Sequence, residues 1–184
     1  MCGIVGIVGT QPVANRLVEG LRRVEYRGYD SAGIDENGHV ERRRATGKLR
    51  ELDRVLDNNP AEGISGIAHT RWATHGAPTE TNAHPHHAGR VYIVHNGIIE
   101  NFRELREEMQ RAGRDFVTET DTEVVAQLID YELEKSGDPK GAFEAVLARL
   151  KGAFALAVMI DGMPDFIMGA REGAPLELSL DLSV

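Results

Sequence analysis

The chain opens Met1-Cys2-Gly3-Ile4-Val5-Gly6-Ile7-Val8, and the reading of this stretch decides the fold. Ile4 to Val8 is short, apolar and partly β-branched, which predicts a buried strand. Cys2 is the only cysteine in 184 residues and stands one residue from the start. Loss of Met1 would leave a thiol and a free α-amine on one residue. Their reference pKa values, about 8.5 and about 7.7–8.0, both lie near neutrality, and an N-terminal amine is a recognised base for such a nucleophile. The alternative is an incidental cysteine beside the initiator. The choice turns on whether the rest of the chain supplies a pocket.

The length suits one well-buried domain. Apolar content of 41% and charged content of 27% are those of an ordinary globular protein. A net charge of −8 argues against nucleic acid or an anionic membrane as partner. Arg42-Arg43-Arg44, the nearest approach to a basic patch, reads as a solvated or ion-paired strand face. A lone cysteine forms no internal disulfide and fits a reducing compartment. No stretch reaches the roughly 20 apolar residues of a membrane span. No charged segment followed by an apolar one opens the chain, which leaves no signal peptide and no lipoprotein role for Cys2. The expected location is the cytoplasm.

Beyond the first strand, Ala14, Leu17, Val18 and Leu21 follow the spacing of one buried helical face. Glu25 to Gly33 reads as a structured loop and Asp35 to Gly38 as a hairpin turn into a strand from His39. Leu49, Leu52, Val55 and Leu56 predict a helix ending near Asn58-Asn59-Pro60. A short strand enters at Gly66 to Ala68. His69 to Arg90 then forms a loop of about twenty residues, a length that a compact domain rarely keeps unless the loop is functional or disordered. Val91 to Val94 is a strand and Asn96-Gly97 a tight turn. Asn101 is expected to cap a helix through Phe102, Leu105 and Met109. Thr120-Asp121-Thr122-Glu123 opens another through Val124, Val125, Leu128 and Ile129, and Phe143, Val146, Leu147 and Leu150 mark a third. Strands return at Ala153 to Ile160 and Phe166 to Ala170. Clustered strands and clustered helices favour an α+β layered domain over a doubly wound sheet. The alternating tail, Leu176 to Val184, either pairs on a sheet edge or frays.

Several stretches carry chemistry as well as structure. Arg71, beside Trp72, Thr74 and His75, is suited to clamp a carboxylate, or is a surface arginine with a packed aromatic neighbour. Asn96-Gly97 is either a type I′ turn or an oxyanion hole, Gly97 offering its backbone N–H and Asn96 its amide. Thr120 and Glu123 form a capping box. That leaves Asp121 over at the helix start, where it could receive an ammonium group. His84-Pro85-His86-His87 lacks the helical spacing of a zinc site and is read as hydrogen-bonded within its loop, with no metal.

In order along the chain come Met1 to Gly6, Arg22 to Gly33 with Arg27-Gly28-Tyr29-Asp30, His69 to Gly76, Asn82 to His86, His95 to Glu100 and Glu119 to Glu123. Together they resemble the glutamine-hydrolysing domains of the glutamine–fructose-6-phosphate aminotransferases (glucosamine-6-phosphate synthases), among the N-terminal-nucleophile amidotransferases. The sister families that share Cys-Gly-Ile carry other loops where this chain has Arg27 to Asp30. The resemblance implies a four-layer αββα sandwich, a glutaminase domain over residues 1–176 and a tail over 177–184 without a counterpart.

It also implies roles. Cys2 would attack the glutamine side-chain amide, with Asn96 and Gly97 stabilising the oxyanion. Arg71 would hold the α-carboxylate and Asp121 the α-ammonium. Thr74 and His75 would line the pocket, Trp72 would stand where ammonia leaves, and Arg27 would support the nucleophile. No cofactor is implied. The partners implied are L-glutamine and the sugar-isomerase domains that accept ammonia in a homo-oligomeric full-length enzyme. Two departures stand out: a strand after Gly33 is expected to be shortened or lost, and the isomerase domains lie outside the sequence. Another N-terminal-nucleophile amidohydrolase, or a glutamine-binding module without activity, are the alternative readings.

Overall fold

The computed structural model describes residues 3–24, 31–36, 39–45, 47–70, 79 and 81–177, with only the backbone for 31–36 and 39. In chain order the elements are β1 (Gly3–Val8), α1 (Ala14–Val24), β2 (Ser31–Glu36), β3 (His39–Arg44), α2 (Leu49–Asn58) and β4 (Ser65–Thr70). They continue as β5 (His86–Ala88), β6 (Val91–Ile99), α3 (Phe102–Arg111), α4 (Asp121–Ser136), α5 (Pro139–Leu147), β7 (Gly152–Ile160) and β8 (Ile167–Glu172). One antiparallel sheet has the order β1-β4-β2-β3, the other β5-β6-β7-β8.

Three apolar clusters show how these layers stack. The first joins α1 and α2 to one face of the β1 sheet, through Leu17, Leu21, Leu52 and Ala68, with Val5 and Ile7 packed on it. The second joins α3, α4 and α5 to the outer face of the other sheet, through Val91, Ile93, Leu128, Ile129, Leu156 and Val158. Between the sheets lie Ile67, Val94, Ala157 and Met159, against Ile4, Tyr92 and Ile167. Along β6 and β7 the side chains therefore alternate between the helix layer and the inter-sheet layer, as a period of two requires. The result is the four-layer αββα sandwich expected from the resemblance.

The helices predicted from periodicity are present, and Thr120 caps α4 by accepting from Glu123 N–H. Other local expectations change. Glu123 does not reach back to Thr120; its carboxylate accepts from Val117 N–H, Thr118 N–H and the Thr118 hydroxyl. Asn101 makes no side-chain cap on α3. Its amide instead donates to Arg149 O and accepts from Lys151 N–H, holding the entry to β7. Asn96-Gly97 is not a turn: β6 runs on to Ile99, with Asn96 opposite Ala155 and Gly97 opposite Phe154. Ser31 to Gly33 belong to a strand, β2, which continues for three residues past Gly33, so the strand is not lost, and Glu36 stands opposite His39. The long loop is shorter than expected, since His69 and Thr70 continue β4 and His86 to Ala88 form β5. The segment 178–184 of the tail lies outside the described residues.

The three arginines of β3 are structural crosslinks. Arg43 is buried and donates to Asn59 O, Asn59 Oδ1 and Pro60 O, anchoring the end of α2. Its neighbours are directed elsewhere, as strand alternation demands. Arg42 donates to Pro85 O and meets His87 Nδ1 at 3.1 Å, while Arg44 donates to Thr81 O and Ala83 O. An edge strand of one sheet thus holds the segment that leads into the edge of the other.

Candidate active site

The first ten residues of α4, Asp121 to Asp130, are all buried. A helix enclosed on every side must satisfy each polar side chain it carries. Gln127 donates to Asp115 O, and Asp130 accepts from Arg90 N–H and Arg114. Asp121 stands at the first helical position and is 5% exposed. Its Oδ2 accepts the N–H of Ile99 at 2.9 Å, and its Oδ1 lies 3.7 Å from His95 Nδ1. The N-terminus of a 16-residue helix is a favourable place for a carboxylate. The start of α4 is thereby fixed to the strand that carries Asn96 and Gly97.

Gly97 has φ of +130°, and a Cβ there would lie 2.1 Å from Ala153 O. Only glycine fits so close to the neighbouring backbone. Asn96 shares its strand face with Tyr92 and Val94, the inter-sheet face. That face looks towards β1 and β4, which pack across β6. At one end of those strands Gly3 pairs with Thr70 in register, and Gly3 N–H donates to Thr70 Oγ1 at 3.0 Å. Gly3 follows Cys2 in the chain and Thr70 precedes Arg71. A Cβ on Gly3 would meet Val24 Cγ2 at 2.3 Å, so the residue after Cys2 is confined to glycine.

Of the residues singled out from sequence, Asn96, Gly97 and Asp121 are thus joined on β6 and α4. Cys2, Arg27, Arg71, Trp72, Thr74 and His75 lie outside the described residues. The histidine segment behaves differently from expectation: His84 and His86 reach beyond their loop to the start of α4, and His87 reaches Arg42 of β3. His84 Nε2 and His95 Nδ1 each lie 3.0 Å from Thr122 Oγ1. His86 Nε2 is 3.3 Å from Thr120 Oγ1. His84 also stacks on His69, with ring centroids 4.0 Å apart. His95 carried a legible signal. The apolar residues 91, 93 and 99 put His95 on the helix-facing side of β6, where a buried imidazole needs a polar partner.

Two antiparallel sheets between helical layers, with β1 beside β4, define an N-terminal-nucleophile hydrolase fold. A family model described as a glutamine amidotransferase domain matches residues 69–173, more than half of the chain. The chain belongs to the glutamine amidotransferase domain family. It is 61% identical over 178 residues to glutamine–fructose-6-phosphate aminotransferase [isomerizing] of Caulobacter vibrioides, covering 96% of this chain and 29% of that protein. It is 58% identical, with the same coverages, to the protein of that name from Zymomonas mobilis. The chain therefore spans less than a third of the length of these relatives. Among solved structures, the glutamine phosphoribosylpyrophosphate amidotransferase of B. subtilis, complexed with ADP and GMP, superimposes with a TM-score of 0.72 at 26% identity. That match covers 88% of this chain and 35% of the other. A glutamine aminotransferase class-II domain protein from Silicibacter pomeroyi, at 20% identity and a TM-score of 0.61, covers 93% of this chain and 76% of its own and shares the fold.

Proposed function

We propose that this chain hydrolyses L-glutamine to glutamate and ammonia, with Cys2 as nucleophile once Met1 is removed. The thiolate adds to the side-chain carbonyl carbon, and the free α-amine of Cys2 takes the thiol proton and returns it to the leaving ammonia. Water then releases glutamate from the γ-glutamyl thioester. Gly97 N–H and the Asn96 amide receive the oxyanion, and Asp121 receives the substrate ammonium. Arg71 takes the α-carboxylate, Thr74 and His75 line the pocket, Trp72 stands at the ammonia exit, and Arg27 supports the nucleophile. A zwitterionic substrate needs one cation and one anion at the end remote from the nucleophile, which this set supplies. The observation that carries the reading is the linkage of Asp121 to the Asn96-Gly97 strand, in a chain of this family.

Residues 1–176 form the glutaminase unit in this reading, with 177–184 as a tail. The ammonia serves sugar-isomerase domains that make glucosamine 6-phosphate from fructose 6-phosphate in a homo-oligomeric cytoplasmic enzyme. Among the described residues no helix is long and apolar enough to cross a membrane.

The test is ammonia release from glutamine by protein shown by intact mass to begin at Cys2. Cys2→Ala should abolish it, and retention of Met1 should do the same by turning the amine into an amide. Turnover that survives Cys2→Ala would sink the reading. Glutamine binding without turnover by the processed protein would point instead to a binding module. Preference for another amide would point to a different amidohydrolase.

A further inference from the structure

The dipeptide Asn96-Gly97 presents an anchoring problem. Pairing with Ala155 and Phe154 of β7 fixes it within the plane of the sheet. Gly97 has no side chain, so its position perpendicular to the sheet depends on its neighbours. Two ties join the flanking residues to α4, one on each side of the dipeptide. Ile99 N–H donates to Asp121 Oδ2, and His95 Nδ1 meets the Thr122 hydroxyl. Both tying residues are consecutive at the start of α4.

The second tie is itself braced. A threonine hydroxyl has one proton to donate and two lone pairs, so it cannot donate to both His84 Nε2 and His95 Nδ1. At least one imidazole donates to Thr122, and the three groups form a directed chain. His95 Nε2 is buried without a hydrogen-bond partner among the described residues, which leaves Nδ1 as the polar anchor of the ring. All three side chains are 5% exposed or less, so water does not substitute readily for a lost partner.

We infer that Thr122 is a positioning residue for the reaction: its hydroxyl, set between His84 and His95, holds β6 against α4 and so keeps Asn96-Gly97 in place relative to Asp121. This rests on the glutaminase reading above. Thr122 touches no reacting atom in this scheme; it acts through His95, the residue before Asn96. Displacing an oxyanion hole weakens the transition state more than the ground state, so the effect belongs in kcat.

The experiment compares wild type, Thr122→Val and Thr122→Ser, each processed to Cys2, at a temperature well below unfolding. Valine keeps the volume and removes both hydrogen bonds; serine keeps the hydroxyl. The expected result for Thr122→Val is a loss in kcat of about tenfold to a hundredfold, the scale of an approximately 1 Å misplacement. Its KM for glutamine should stay within about threefold, and Thr122→Ser should recover kcat to within about threefold of wild type. A kcat within twofold of wild type in Thr122→Val overturns the inference. So does an unchanged kcat with a raised KM, or a serine that fails to rescue. An inactive wild type overturns the glutaminase reading instead. Should Thr122→Val not fold, His95→Asn and His95→Gln carry the test. Asn sets its amide nitrogen near the place of Nδ1 and Gln near that of Nε2, so kcat should fall at least fivefold further in His95→Gln. Equal losses in the two overturn the inference.

Discussion

Asp121 is assigned two tasks that two substitutions can separate. In the folded protein its Oδ2 accepts the N–H of Ile99, a residue with no exposed surface. Alanine at position 121 leaves that donor buried and unpaired, at about 1–3 kcal/mol. Asparagine retains a carbonyl oxygen that can accept the same bond. For a domain of 150–250 residues each kcal/mol shifts Tm by roughly 2–4 °C. Asp121→Ala should therefore melt about 2–12 °C below Asp121→Asn, by circular dichroism without substrate. The second task appears only with substrate. Removing the anion from a desolvated ammonium costs about 2–5 kcal/mol, or roughly 30- to 5,000-fold in kcat/KM. Both variants should lose this. Both should also lose the preference for glutamine over glutaramate, its analogue without the α-amine. Equal melting temperatures for the two variants would show that the Ile99 N–H does not need this acceptor. A preference for glutamine undiminished in Asp121→Asn would remove Asp121 from substrate binding.

Gly97→Ala should destabilise the protein before chemistry is considered. The new Cβ at φ of +130° would sit 2.1 Å from Ala153 O, and backbone strain plus overpacking amount to about 2–6 kcal/mol. A Tm within 2 °C of wild type would contradict this. His87 gives a pH signature. Partial desolvation first, then the Arg42 and Arg44 guanidiniums, hold its imidazole below the usual 6.5. Below that pH the unfolded chain binds a proton that the folded protein refuses, so this contribution is complete above about pH 6.5 and is lost as pH falls towards the lower folded value. Between pH 7 and pH 5 the Tm of wild type should fall more steeply than that of His87→Gln; parallel slopes would refute the assignment.

Much of the fold was legible because periodicity reports burial directly. Leu17, Val18 and Leu21 of α1, and Val124, Val125, Leu128 and Ile129 of α4, face the core as their spacing requires. The sandwich itself was not legible from spacing, since strand pairing is non-local; it came from the resemblance. Asn96-Gly97 misled because the local preference of Asn-Gly for a hairpin turn is real, yet nine residues of continuous pairing with β7 override it. Asn101 and Glu123 carried the right side chains for caps, but nearby backbone groups without helical partners compete for the same oxygens. Thr122 escaped notice because periodicity counts apolar positions, and its importance lies in two histidines 38 and 27 residues away.

The guanidiniums of Arg42 and Arg44 have a consequence beyond stitching two sheets. They grip carbonyls at 81, 83 and 85, in the same short segment whose His84 ring meets Thr122. A force path runs from the β2–β3 hairpin through that segment to the first turn of α4. The hairpin contributes none of the proposed catalytic groups and is an outlying ribbon of its own sheet. Lengthening or tilting it would nevertheless pull on the bracket behind Asp121. Substitutions in this ribbon should register as imprecision at the site even where the core is untouched.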